Sequence, residues 1–181
     1  MRHPSRLGAC RWCVVARFRP LAGWRGDGDS RETFRRRYEQ GDTAHADKGP
    51  DAQDSWIIFS RGNELLGDHA ITRGRNASER INSVTTFTGQ SLTGGEGSTS
   101  LLTLAATSGD YNPATHQEIP AGGRSQAVAL AFGKGRVVIT GDAAMLSAQA
   151  EGNVRFGMQR AGNDDRQFAL NIMHWLSGLL N

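Results

Sequence analysis

Cysteine is almost missing from this chain. Of 181 residues only Cys10 and Cys13 carry thiols, spaced as Cys-Arg-Trp-Cys. A redox pair with this spacing opens a helix after a strand, and a structural zinc needs a second pair of ligands. Neither context accompanies these two, so they read as incidental thiols. His45 and His116 also lack neighbours at metal-binding spacing, and neither a metal nor another cofactor is expected. Long apolar runs are missing too. No stretch approaches the roughly 18 residues that a membrane-spanning helix requires, so no membrane span is expected. The first residues lack the apolar core of a secretory signal and the Ser-rich regularity of a transit peptide. A cytoplasmic location is the default expectation.

Glycine is abundant, with 23 residues, which favours many turns between short elements over a helical bundle. The length suits one domain with a sizeable core. Charge is unevenly placed. Residues 1–37 hold ten Arg against Asp27, Asp29 and Glu32, a net of +7 within a total of +3, so residues 38–181 carry −4. Clustered Arg neutralises phosphates of any sequence, but no nucleic-acid-binding fold accompanies the charge, and nucleic acid is not an expected partner. Residues 1–54 read as an irregular basic head and linker, with room only for a brief strand at 13–16 or a brief helix over 32–38. Their Arg, Gly, Ala and Trp mixture is what an upstream start or a shifted frame in GC-rich DNA produces, so the head reads as foreign to the fold. Tryptic peptides from residues 3–31 in the natural protein would refute that.

Residues 55–181 are organised. Strand composition marks 56–59, 84–88, 101–105, 125–132 and 136–140. One helical turn is expected at 63–66, a long polar loop at 67–82, an exposed excursion at 108–123, a short helix at 143–150 and a loop at 151–162. Val128, Leu130 and Phe132 alternate with Ala127, Ala129 and Ala131, which places bulky groups on one face and methyls on the other. That suits a sheet covered on both sides, with a helix close over the alanines. Gly133-Lys134-Gly135 connects its two strands as an antiparallel hairpin. Asp164 with Gln167 suggests a capping box for the final helix, whose stripe of Phe168, Ile172, Trp175 or Leu176, and Leu179 would pack on the sheet.

Two places concentrate chemistry. Asp142 follows a buried strand and a turn at Gly141, where it either contacts a ligand or metal or caps the helix that starts at Ala143. Asp68, His69, Arg73, Arg75, Asn76, Glu79 and Arg80 crowd the polar loop. Guanidinium groups at that density suit a carboxylate, phosphate or sugar acid; otherwise the charges pair internally, Glu79 with Arg75 or Arg80. His69 as general base, oriented by Asp68 or Asp142, is the catalytic alternative. Asn76-Ala77-Ser78 matches a glycosylation acceptor, a frequent chance match. His174, beside Trp175, reads as a packing histidine.

The residues Phe132-Gly133-Lys134-Gly135-Arg136-Val137-Val138-Ile139-Thr140-Gly141-Asp142, with Asn163-Asp164 and Ala169-Leu170-Asn171-Ile172-Met173-His174-Trp175-Leu176, resemble the C-terminal part of class I glutamine amidotransferase-like domains. The likeness is to uncharacterised bacterial families that lack the cysteine nucleophile, and residues 65–89 share it. It covers roughly residues 55–181. It implies an α/β fold: a flavodoxin-like three-layer sandwich with a mostly parallel sheet, one antiparallel hairpin and helices on both faces, here an incomplete domain without the first βα units. Active members place a cysteine in a Gly-x-Cys-x-Gly elbow. This chain has no such elbow and no Gly-x-Ser-x-Gly in its place, so the resemblance does not bring the family's chemistry with it. The expected function is a non-catalytic binding or regulatory module for a small polar or anionic ligand or a protein partner, contacted through Arg73, Arg75, Asn76, Glu79, Arg80 and Asp142. The alternatives are a hydrolase or amide-transfer enzyme using His69, Asp68 and Asp142, and a scaffold subunit of a complex.

Overall fold

A computed structural model describes residues 13–16, 57–86, 90–112 and 117–181. The rest of the expected basic head and linker, 1–54, lies outside these, as do 87–89 and 113–116. In chain order the elements are β1 (Cys13–Ala16), β2 (Ile57–Ser60), α1 (Ala70–Arg73), β3 (Ser83–Thr86), β4 (Thr99–Thr103), β5 (Gly109–Asn112), β6 (Gln117–Pro120), β7 (Ser125–Phe132), β8 (Gly135–Thr140), β9 (Ala148–Glu151), β10 (Val154–Gly157) and α2 (Asp165–Leu176). Single 3₁₀ turns lie at Ala77–Glu79 and Ala144–Leu146.

The alternating residues of β7 and the β-branched run of β8 build the central ladder, antiparallel from Ala127↔Thr140 to Phe132↔Gly135. Gly133 turns this hairpin at φ 58°, a conformation that strains any residue with a Cβ. β4 adds antiparallel to β7 and β1 parallel to β8, giving the order β1-β8-β7-β4. Three two-stranded ladders, β2–β3, β5–β6 and β9–β10, are all antiparallel.

The expected flavodoxin-like, mostly parallel sandwich is therefore incorrect: the described region is mostly small antiparallel sheets, 36% strand, with only two helices. The physical reason lies in the connections. A parallel neighbour needs a crossover of a dozen or more residues, usually a helix, whereas 133–134 and 152–153 are two-residue turns between paired strands. The excursion at 108–123 contains a hairpin of its own, Gly109 facing Pro120. The helix expected at 143–150 is one 3₁₀ turn followed by β9. Ser147 Oγ donates to Ala144 O at 2.7 Å, and β10 returns so closely that a Cβ at Gly157 would lie 2.1 Å from Ala144 O. Local helix propensity loses to that pairing.

α2 packs its apolar stripe on the alanine face of β7. Ala127, Ala129, Val138, Phe168, Ile172, Trp175 and Leu176 share one buried cluster with Phe59, Ile71 and Ile81. Truncating the fully buried Phe168 to Ala removes about 3–5 kcal/mol of packing. Two details differ from expectation. Gly178, at φ 76°, turns the chain after α2, so Leu180 is buried and Leu179 is 64% exposed. The capping box does not form: Gln167 Nε2 donates to Asn171 Oδ1 at 2.9 Å, and Asn163 Oδ1 accepts the Asp165 amide at 3.2 Å. The other end of the helix is closed by Arg136, whose Nη1 donates to Trp175 O at 2.7 Å and Leu180 O at 2.8 Å, a favourable place for a cation.

Candidate functional site

The polar loop is mounted on α2 residue by residue. Asn171, fully buried, donates from Nδ2 to Ile71 O and to Glu79 O, both at 2.8 Å. Arg61 braces the loop from the strand side, Nε to Ile81 O at 2.9 Å and Nη2 to Thr72 O at 2.8 Å. Trp175 meets the His69 ring edge-on, with centroids 5.0 Å apart. The loop thus holds its irregular backbone by spending side chains on carbonyls that no ladder satisfies.

His69 caps α1. Its Nδ1 accepts the Ile71 amide at 3.2 Å, and Thr72 Oγ1 accepts the His69 amide at 3.0 Å. Burial pushes its pKa below the ordinary 6.5, and the Arg73 and Arg136 charges push the same way against Asp68. A neutral imidazole has one donor and one acceptor nitrogen. With Nδ1 accepting, Nε2 carries the proton, and no lone pair is left to act as base.

Asp68 is exposed and pairs with Arg73 at 3.0 Å. Arg75 grips Glu79 through both Nε and Nη2; Nε lies 3.0 and 2.8 Å from the two carboxylate oxygens, and the Arg75 amide adds a bond at 3.1 Å. Hydrogen bonding from Arg75 lowers the Glu79 carboxyl to about 2. Asn76 Oδ1 accepts the Ser78 amide at 2.9 Å and its hydroxyl at 2.6 Å, capping the 3₁₀ turn. Arg80 is exposed.

Asp142 is buried at 4% exposure, and its Oδ1 accepts the Ala144 amide at 2.8 Å. It acts on Asp165 at the start of α2, whereas His69 lies against Trp175 ten residues along that helix. At 1.5 Å per residue those two positions on α2 are about 15 Å apart along the helix axis. The structure brings Asp68 to Arg73 and Arg75 to Glu79; it does not bring His69 to Asp142. Among the described residues no group of three or more His, Cys, Asp or Glu is arranged to hold a metal ion, and no helix is long and apolar enough to cross a membrane.

Three residues central to this arrangement carry little signal in the sequence. Arg61 lies in a turn with no pattern around it. Asn171 enters only as part of a motif, and its position on the buried face of an otherwise apolar helix is the clue to its role. Asp165 follows the expected cap residue Asp164 without any pattern of its own, yet it is fully buried. No family model matches the chain, and no curated protein matches it.

Proposed function

We propose that the chain is a non-catalytic binding or regulatory module that takes a small polar or anionic ligand, or a protein partner, on the outer face of residues 68–80. The observation carrying this reading is the bond from the Ile71 amide to His69 Nδ1, which removes the best candidate base from chemistry. Among the side chains facing outward, Arg73, 55% exposed, and Arg80 carry the positive charge not gripped by Glu79. The Asp68–Arg73 pair is an exposed ion pair of the kind worth about 1 kcal/mol or less, so an incoming carboxylate displaces it at little cost. Arg75 and Glu79, held by four hydrogen bonds, serve as frame. The relationship to the C-terminal part of amidotransferase-like domains belongs to the same proposal and rests on the residues of 132–142, 163–164 and 169–176.

Thermal-shift screening against organic acids and sugars tests it. An acid that raises the melting temperature of the parent but not of Arg73→Ala with Arg80→Ala supports the reading, and no selective stabilisation of the parent sinks the small-molecule version. A stable heteromeric complex on pulldown without any ligand response would move the reading to a scaffold subunit. Turnover of an amide or ester that disappears in folded His69→Ala would move it to a hydrolase.

A further inference from the structure

The turn that opens α1 hangs on one imidazole. His69 Nδ1 accepts the amide of the fully buried Ile71 at 3.2 Å, and the ring stands edge-on to Trp175. Thr72 ties the preceding residues to the same turn: its Oγ1 accepts the His69 amide at 3.0 Å and donates to Gly67 O at 2.6 Å. The charged groups that face the ring are Arg73 from α1, Arg136 from β8 and Asp68 from the loop, while α2 presents the uncharged Trp175. Two cations against one carboxylate disfavour a further positive charge. The carbonyl side of the segment is held by groups whose charge is constant near neutral pH: Asn171 donates to Ile71 O and Arg61 to Thr72 O.

We propose that His69 is an acid-released cap: a proton on Nδ1 expels the ring from α1 and Trp175 and frees the turn at 67–70, so that the face carrying Asp68 and Arg73 is fixed in neutral solution and loosened in acid. An imidazolium has two donors and no acceptor. Protonated Nδ1 therefore points a donor at the Ile71 amide, and that buried N–H loses its partner. The new charge also meets Arg73 and Arg136, so the ring turns out toward water. Burial, Arg73 and Arg136 hold the His69 pKa below 6.5 against Asp68. A group whose folded pKa is lowered contributes stability that is complete above its unfolded value and is lost as pH falls through the folded one. The loss therefore begins at 6.5. Because Asn171 and Arg61 keep their carbonyls, the opening is confined to this turn. As regulation of a binding surface the switch rests on the reading proposed above, whereas the release itself needs no ligand.

Hydrogen exchange of the full chain between pH 7.5 and 5, corrected for intrinsic rates, tests the cap, with the Phe168 amide, bonded to Asp164 O within α2, as reference. Ile71 protection is expected to fall about tenfold for each pH unit below 6.5 until the folded pKa is reached, as release linked to one proton requires. It should also stay below that of Phe168 throughout. His69→Asn keeps a side-chain acceptor at the cap position without a titrating group, so its Ile71 protection loses that slope, and the comparison cancels every other group that titrates in the range. Flat Ile71 protection in the parent overturns the proposal, and so does an unchanged slope in His69→Asn. Equal protection of Ile71 and Phe168 at every pH marks global unfolding instead of local release and overturns it too. Should His69→Asn fail to fold, the two measurements on the parent decide. A ligand screen that finds nothing leaves these results untouched, and a flat exchange profile leaves the ligand reading standing.

Discussion

Single side chains carry most of the order in the polar loop. Asn171 satisfies two carbonyls from different parts of it, so Asn171→Ala leaves both buried and unpaired. The expected loss is about 2–4 kcal/mol, read as a lower urea midpoint. Glu79 contributes in a defined pH window. Its carboxyl is lowered from the usual range to about 2 by the hydrogen bonds from Arg75, so its stabilisation is present above the unfolded pKa of about 4.3 and is lost as pH falls through 2. Glu79→Gln should therefore flatten the acid limb of the stability profile between pH 4.5 and 2; an acid limb identical to the parent's would show that the pair contributes nothing. His69 acts on the same side. Its lowered pKa means that stability falls as pH drops below 6.5.

Among the elements, the β7–β8 hairpin and α2 define the scaffold. Both were legible in the sequence, because alternation over 125–132 and helical spacing from Phe168 to Leu176 are the periods that burial on one face imposes. The antiparallel ladders β5–β6 and β9–β10 were not. Their residues show no sustained period, and β10 reaches its place only because Gly157 lets the chain return against Ala144 and Ser147. Two glycines separate these effects. Gly133, at φ 58°, has open space where a Cβ would go, whereas Gly157, at φ 56°, would place one 2.1 Å from Ala144 O. Gly133→Ala should cost about 1 kcal/mol from strain alone; Gly157→Ala should cost clearly more and shift the thermal midpoint further. Equal effects would mean that β10 does not pack against Ala144.

At the scale of the whole molecule, the sequence shows a crowded set of candidate catalytic groups but not where they go. His69, Asp68 and Asp142 are close in chemistry and, for two of them, adjacent in sequence, yet α2 stands between His69 at its C-terminal end and Asp142 near its N-terminal end. Pairings that depend on a few ångströms, such as Arg75 with Glu79 rather than Arg80, are set by the 3₁₀ turn at Ala77–Glu79 and have no periodic signature. The central claim is that the loop is a braced binding surface and not an active site, and His69 decides it. Long-range ¹H–¹⁵N NMR of the imidazole, followed through a pH titration, reads both tautomer and pKa. The account predicts a proton on Nε2, a bare accepting Nδ1 and a pKa below 6.5. A protonated Nδ1 donating to a carboxylate, with a pKa above 6.5, would mark an oriented general base and contradict it.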